Sequence, residues 1–476
     1  MRNDAGVNGD AQRIEQMAWI LLLKILNVKE EERERLGGRR ASVIPERFRW
    51  RNWAVDRKDG RALTGDALLN FVNNGLFPAL KNLEVGGNAP PGEIIVKSAF
   101  GDNNNYMKDG VLLRQVINVI DESDFGACEN RHAFGEIYET ILRSLQNAGN
   151  AGEFYTPRAV TDFMAQMLAP KIGERVADFA CGTGGFLSSA LKILDAQVKS
   201  AADKDVRNRS VYGVEKKALP HLLCVTNMLL HDVDNPAIIR GNALEKDVRD
   251  YEERDRFEVI LMNPPYGGSE KESVKNNFPA ALQSGETSDL FMSVIMCRLK
   301  ENGRAAVIVP DGFLFGTDGA RTAIKKKLLG EFNLRTIVRL PPDVFAPYTS
   351  VTTNIMFFDR AAPTKETWFY RLDMPDGYKH FSKTKPMKPE HFAPAAEWWG
   401  KRAEIAIGGF DKAKRCTAQE LAARNYNLDI CGLPHEEEEI TPPRELIRQY
   451  REKRASLNAD IDRILADIEN ALGTNV

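Results

Sequence analysis

The chain reads as an α/β protein, with a helical N-terminal domain, a doubly wound and mostly parallel seven-stranded sheet, and a C-terminal helical tail. Three observations predict this. Short β-rich apolar runs alternate with helical stretches from Arg175 to Phe358, the rhythm produced by parallel strands and crossover helices. A glycine-rich turn follows the first run, and a rigid Asn263-Pro264-Pro265-Tyr266 loop follows the fourth. Open sheets of this kind bind ligands beyond the carboxyl ends of their strands, so the positions of these two loops already point to a site.

Residues 1–150 come first. From Met17 to about Leu145 the apolar spacing is helical: Val116, Ile117 and Ile120 share one face, as do Ile137, Tyr138, Ile141, Leu142 and Leu145. Polar connections at Gly86-Gly87-Asn88 and Asp102-Asn103-Asn104-Asn105 interrupt it, and Asn147 to Gly152 ends it. Residues 151–360 carry the candidate strands Arg175 to Phe179, Val211 to Val214, Ile238-Ile239, Phe257 to Met262, Arg304 to Val309, Thr336 to Leu340 and Asn354 to Phe358. In residues 361–442 this rhythm is lost, and an irregular extension is expected. The acid run Glu436 to Glu439 reads as a solvated linker. Residues 443–476 form a helical candidate in which Tyr450, Leu457, Ile461, Ile464, Ile468 and Ala471 approximate a seven-residue repeat. Such a helix either docks a partner or folds back on its own domain.

A chain of 476 residues has room for two or three cores, and 43% hydrophobic with 28% charged residues describes an ordinary soluble protein. Met1 to Arg13 is polar, and the apolar stretch Ala18 to Leu26 contains Lys24 and is too short to span a bilayer. No membrane association and a cytoplasmic setting are therefore expected. The cysteines Cys128, Cys181, Cys224, Cys297, Cys416 and Cys431 include no C-x-x-C pair, so free thiols are expected rather than a zinc site or disulfide framework. A net charge of −2 is poorly suited to gripping a phosphate backbone unaided; contact with DNA would call for a partner.

The chemistry starts at Asn263-Pro264-Pro265-Tyr266. Two prolines fix φ and donate no N–H, so the loop presents mainly acceptors, the Asn263 side-chain oxygen and the Pro264 carbonyl. Two acceptors suit an NH₂ substrate. The lone pair of an exocyclic amine is delocalised into its ring, and accepting both hydrogens favours the pyramidal, attacking form. Tyr266 is placed to stack on the base. The rival reading is a turn with Asn263 as cap and Tyr266 in the core.

After the first strand, Asp178-Phe179-Ala180-Cys181-Gly182-Thr183-Gly184-Gly185-Phe186-Leu187 lets a ligand approach the backbone closely. Leu187 stands where the dinucleotide fingerprint places its third glycine. An acid four residues before the first glycine, as Asp178 is to Gly182, suits S-adenosylmethionine, whose ammonium needs a carboxylate nearby. Glu215, ending the second strand, is placed for two ribose hydroxyls, with a surface acid as the alternative. Asn242, after the third strand, is a candidate for the cofactor's adenine edge. Upstream, Glu153-Phe154-Tyr155-Thr156-Pro157-Arg158 reads either as a helix start whose N-terminus suits a carboxylate or as a plain cap at Thr156, with Phe154 and Tyr155 facing the sulfonium or filling core.

Taken together and in this order, these segments resemble the modification subunit of Type I restriction-modification systems, a γ-type DNA adenine-N6 methyltransferase. The resemblance rests on Gly152 to Arg158, Asp178 to Leu187, Asn263 to Tyr266, Leu340-Pro341-Pro342-Asp343-Val344-Phe345 with Tyr348-Thr349, and Thr353-Asn354-Ile355. Gly135 to Glu139 and Ala422 to Asp429 support it, and it covers most of the chain. Glu153 stands where Gln is often found, and Asn242 where Asp is common. The resemblance implies a Rossmann-like S-adenosylmethionine-dependent methyltransferase domain. Glu153 to Arg158, Thr183 to Gly185, Glu215 and Asn263 would surround the cofactor, and Asn263, Pro264, Pro265 and Tyr266 would hold an adenine flipped out of double-stranded DNA. The surplus proton would go to solvent, and no metal is called for. It further implies a specificity subunit that reads the DNA, with two copies of this chain to one of it, and a restriction subunit in systems that carry one. N-P-P-Y also serves methyltransferases of glutamine side chains and of ribosomal RNA, cytosine N4 is another acceptor, and a non-catalytic scaffold is the rival outside enzymes.

Overall fold

The computed structural model describes residues 1–35, 37, 42–84, 91–123, 138, 140, 155–382, 384–432 and 443–472. All seven candidate strands are present: β1 (Val176–Asp178), β2 (Val211–Glu215), β3 (Ala237–Arg240), β4 (Phe257–Met262), β5 (Leu299–Pro310), β6 (Asn333–Arg339) and β7 (Thr353–Asp359). They lie in the order β3-β2-β1-β4-β5-β7-β6. β1 to β5 pair in parallel, and β7 is inserted antiparallel between β5 and β6. The order reverses between β1 and β4. That switch point is where a crevice opens at the carboxyl ends of an open sheet.

The sheet does not stop at seven strands. An irregular extension is expected over residues 361–442, yet β8 (Glu366–Arg371), β9 (Ile405–Ile407) and β10 (Phe410–Thr417) continue the sheet, giving ten strands among the described residues. β8 pairs parallel to β6, and β10 antiparallel to β8 and to β9. The aromatic residues scattered through this region pack on the sheet: Trp398 stacks on Tyr370 at 4.6 Å, and Phe163 on Phe392 at 4.3 Å. Burial of such rings contributes most of what holds an edge extension in place.

The segment Ala422 to Asp429 is a clamp. Asn425 and Tyr426 take left-handed φ of 53° and 57°, and the Leu428 N–H donates to the Leu314 carbonyl at 3.0 Å. Arg339, the last residue of β6, then bridges Asp311 and Asp429 at 2.9 Å each. It thereby fixes the strand end from which the Leu340 to Thr349 loop departs.

The N-terminal helices include Gly9–Arg35, Pro91–Phe100 and Gly110–Asp121. Asp109 caps the last of these, its carboxylate accepting from the Val111 and Leu112 N–H groups. Their apolar core is built around Trp19, Trp50, Phe77 and Phe100 and runs on into Leu222, Leu223 and Val225 of the sheet-covering helix Ala218–Leu230. Lys29 reaches Asp232 and Asp234 at 3.0 and 3.2 Å. Residues Met1–Gly432 form one compact unit. Gly135 to Ile137, Glu139, Ile141, Leu142, Leu145, the expected boundary at 150, Cys128 and Glu436 to Glu439 lie outside the described residues.

Leu433–Val476 is a second unit, described over the helix Pro443–Leu472. Ile447, Tyr450, Leu457, Ile461, Ile464 and Ile468 fall on its a and d heptad positions, and each is exposed.

Candidate active site

A cavity of about 310 Å³ lies over the carboxyl ends of β1, β2, β3 and β4, within the size range of small-molecule sites. Of the residues singled out from the sequence, Tyr155, Thr156, Asp178, Gly182, Thr183, Gly185, Glu215, Asn242, Asn263, Pro264, Pro265 and Tyr266 line it. Chain order maps onto position across the sheet. Asp178 ends β1, Glu215 ends β2, Asn242 comes after β3 and Asn263 after β4.

The two acids are buried. Glu215 holds the glycine turn, its oxygens accepting from the Gly182 N–H at 3.0 Å and the Lys217 N–H at 2.7 Å. Burial raises its pKa, and those N–H groups counter the rise. Asp178 accepts from the Ala180 N–H at 3.1 Å. Burial, reinforced by the nearby Glu215 charge, pushes its carboxyl up to about 8.

The turn between them packs tightly on the helix behind it. Gly184 has φ +82°, and a Cβ there would come within 2.9 Å of Cys224 Sγ, so side chains are excluded on both conformational and packing grounds. Asn227 donates to the Thr183 carbonyl at 2.9 Å and anchors the turn from the helix behind it. Gly184 therefore shapes the cavity without lining it.

Beside this turn, the Asn263 amide is oriented at both ends. Its Nδ2 donates to Thr156 Oγ1 at 3.1 Å, and its Oδ1 accepts from the Tyr266 hydroxyl. The first contact gives Thr156 its place in the site, since the helix Arg158–Leu168 is N-capped by Pro157 without a side-chain bond. The capping alternative for Thr156 is thus replaced by an orienting role. Thr156→Val keeps the side-chain shape but leaves the amide without its anchor. For the methyltransferase that the resemblance implies, a fall of about tenfold in turnover is expected, with cofactor affinity within about twofold; single-turnover rates at the wild-type value would mean the backbone alone fixes Asn263.

Pro157 and Arg158 do not line the cavity. Arg158 instead ties two helices together, donating to Ser188 Oγ at 2.8 Å. Glu153 and Phe154 lie outside the described residues. Lys216, Lys217, Glu270, Thr287, Phe291, Phe345, Tyr348 and Thr349 also line the cavity, and sequence reasoning does not single them out as site residues. For Phe345, Tyr348 and Thr349 the signal is present in the Leu340 to Thr349 motif; for the others there is none. Among the described residues there is no cluster of His, Cys, Asp and Glu able to hold a metal, and no helix long and apolar enough to cross a membrane.

The family model described as N-6 DNA Methylase matches residues 129–440, and that for the HsdM N-terminal domain matches residues 1–120. The chain is 50% identical to the Type I restriction enzyme EcoEI methylase subunit of Escherichia coli, over 96% of this chain and 93% of that protein. A crystal structure of a modification subunit assigned to a type I restriction enzyme of Vibrio vulnificus YJ016 superimposes with a TM-score of 0.78 at 40% identity, covering 88% and 90% of the two chains. A chain from a structural study of type I R-M complex assembly superimposes at 0.80 with 34% identity, covering 98% and 96%. With an acceptor loop and a glycine turn flanked by acids meeting in one cavity, and with both family models matching, the chain belongs to the N-6 DNA methylase family, as a methylase subunit of the Type I restriction-modification kind.

Proposed function

We propose that the cavity holds S-adenosylmethionine against a flipped adenine, and that the chain methylates N6 of that adenine as the modification subunit of a Type I complex. The observation that carries this reading is that Asp178, Glu215 and Asn263 line a single cavity at the switch point of the sheet. The residues fit the cofactor. Buried Asp178 suits an ammonium, Glu215 retains acceptor capacity for a diol beyond its two N–H partners, and Gly182, Thr183 and Gly185 of the turn line the cavity. When bound, S-adenosylmethionine supplies an electrophilic methyl group on a sulfonium.

The protein's part is orientation. Asn263 Oδ1 and the Pro264 carbonyl accept the two N–H bonds of the adenine amine, which restores nucleophilic character to its nitrogen and stabilises the developing positive charge. The amine displaces the Tyr266 hydroxyl from Asn263 Oδ1, and the Tyr266 ring takes up stacking on the base. Extruding a base costs a few kcal/mol, which stacking at about 1–3 kcal/mol per base and the pocket contacts offset. Copurification with a specificity subunit, followed by sequencing of methylated genomic DNA, tests this reading; adenine left unmodified by a complex that binds S-adenosylmethionine would exclude it.

With a net charge of −2 and neither a basic stripe nor a recognisable DNA-reading motif after Asp359, the chain takes its DNA address from a specificity subunit, two copies of this chain serving one, with a restriction subunit joining in systems that have one. The exposed heptad face of Pro443–Leu472 is the docking element. Deleting Pro443 to Val476 is expected to release the specificity subunit in size-exclusion chromatography; continued co-elution would count against that role.

A further inference from the structure

Glu270 lies four residues beyond Tyr266, in a loop that returns from the end of β4 across the cavity. Its side chain is only 11% exposed, and its Oε1 meets Lys216 Nζ at 3.1 Å. Its Oε2 faces the Nδ2 of Asn242 at 3.4 Å. The oxygen of Asn242 is already engaged, accepting from the Leu244 N–H at 3.1 Å. The amide of Asn242 therefore presents donors to the cavity, and the acceptor at that point is Glu270.

An adenine edge carries a donor, the exocyclic amine, next to an acceptor, N1. Asn242 Nδ2 with its second hydrogen and Glu270 with its remaining lone pairs form the complementary pair. Asn242 alone cannot complete this pair, because its only acceptor is turned into the backbone. We infer that Glu270 is the residue that selects adenine in the cofactor, accepting from the exocyclic amine while Asn242 donates to N1. The inference rests on the cavity being the cofactor site, with the ribose at Glu215 and the base at the end of β3.

The test is calorimetry on the full chain with two probes: S-adenosylhomocysteine and S-inosylhomocysteine, in which the amine is replaced by a carbonyl and N1 carries a proton. The wild type is expected to prefer the adenosyl compound by about thirtyfold, the value of one hydrogen bond to a charged group. Glu270→Gln offers an amide donor to the inosine carbonyl, so the preference should shrink to about fivefold or less, partly through tighter inosyl binding. Glu270→Ala should lower the preference without that gain, leaving the part that the Asn242 donor sets at N1. An unchanged preference in Glu270→Gln overturns the inference and leaves the site intact. Wild-type protein that binds neither compound, or a Glu215→Ala variant that binds both as the wild type does, overturns the site reading and this inference with it.

Discussion

Asn263→Ala is expected to lower methyl transfer at least about a thousandfold while leaving cofactor affinity within about threefold, and Tyr266→Ala should behave similarly. The asymmetry comes from what each side chain touches. Asn263 contacts Thr156 and Tyr266, whereas the groups proposed for the cofactor's ammonium and diol, Asp178 and Glu215, sit on other strands. Removing the amide oxygen deletes an acceptor whose contribution is largest when the amine becomes pyramidal and positive, so the loss belongs to the transition state. It should appear in turnover far more than in binding. Tritium transfer from labelled S-adenosylmethionine into DNA, paired with calorimetry, separates the two quantities; label incorporated at the wild-type rate would remove Asn263 from the chemistry.

The seven-stranded frame and the positions of Asp178, Glu215 and Asn263 are legible in the sequence because a doubly wound sheet couples chain order to place. Each apolar run is a strand, and the residues just after it sit at the carboxyl edge. Four things escape that logic. β10, Phe-Asp-Lys-Ala-Lys-Arg-Cys-Thr, buries only Ala413 and Cys416, one on each face of the sheet, and a charged run around so few apolar residues resembles a loop. The orienting role of Thr156 depends on a contact across 107 positions, and the place of Glu270 depends on one across 28 positions to Asn242. No local pattern encodes either. The Asn425-Tyr426-Asn427 segment is recognisable as a motif, but its purpose, holding Arg339 through Asp429, requires the fold.

Asp178→Asn should separate folding from binding with opposite signs. The Asp178 carboxyl is pushed from an ordinary 3.8 up to about 8, so between those values the folded protein keeps a proton that the unfolded chain has lost. Its contribution then works against folding as pH rises, by up to about 1.4 kcal/mol per pH unit through that window, and the full penalty is present above it. Asparagine has the same shape, still accepts from Ala180, and carries no charge to desolvate. The ligand-free variant should therefore melt at least about 3 °C above wild type at pH 8.5, with the gain shrinking toward pH 5. With S-adenosylhomocysteine the order reverses. Its ammonium lets Asp178 ionise, so wild-type binding releases a proton near pH 7 and strengthens as pH rises toward 8. The variant should bind at least about tenfold more weakly, without that proton release. Thermal melts at the two pH values, and calorimetry in buffers of different ionisation enthalpy, read the two effects independently. A melting difference that is the same at both pH values would mean Asp178 is already ionised in the free protein, and equal affinities would mean that the ammonium is held elsewhere.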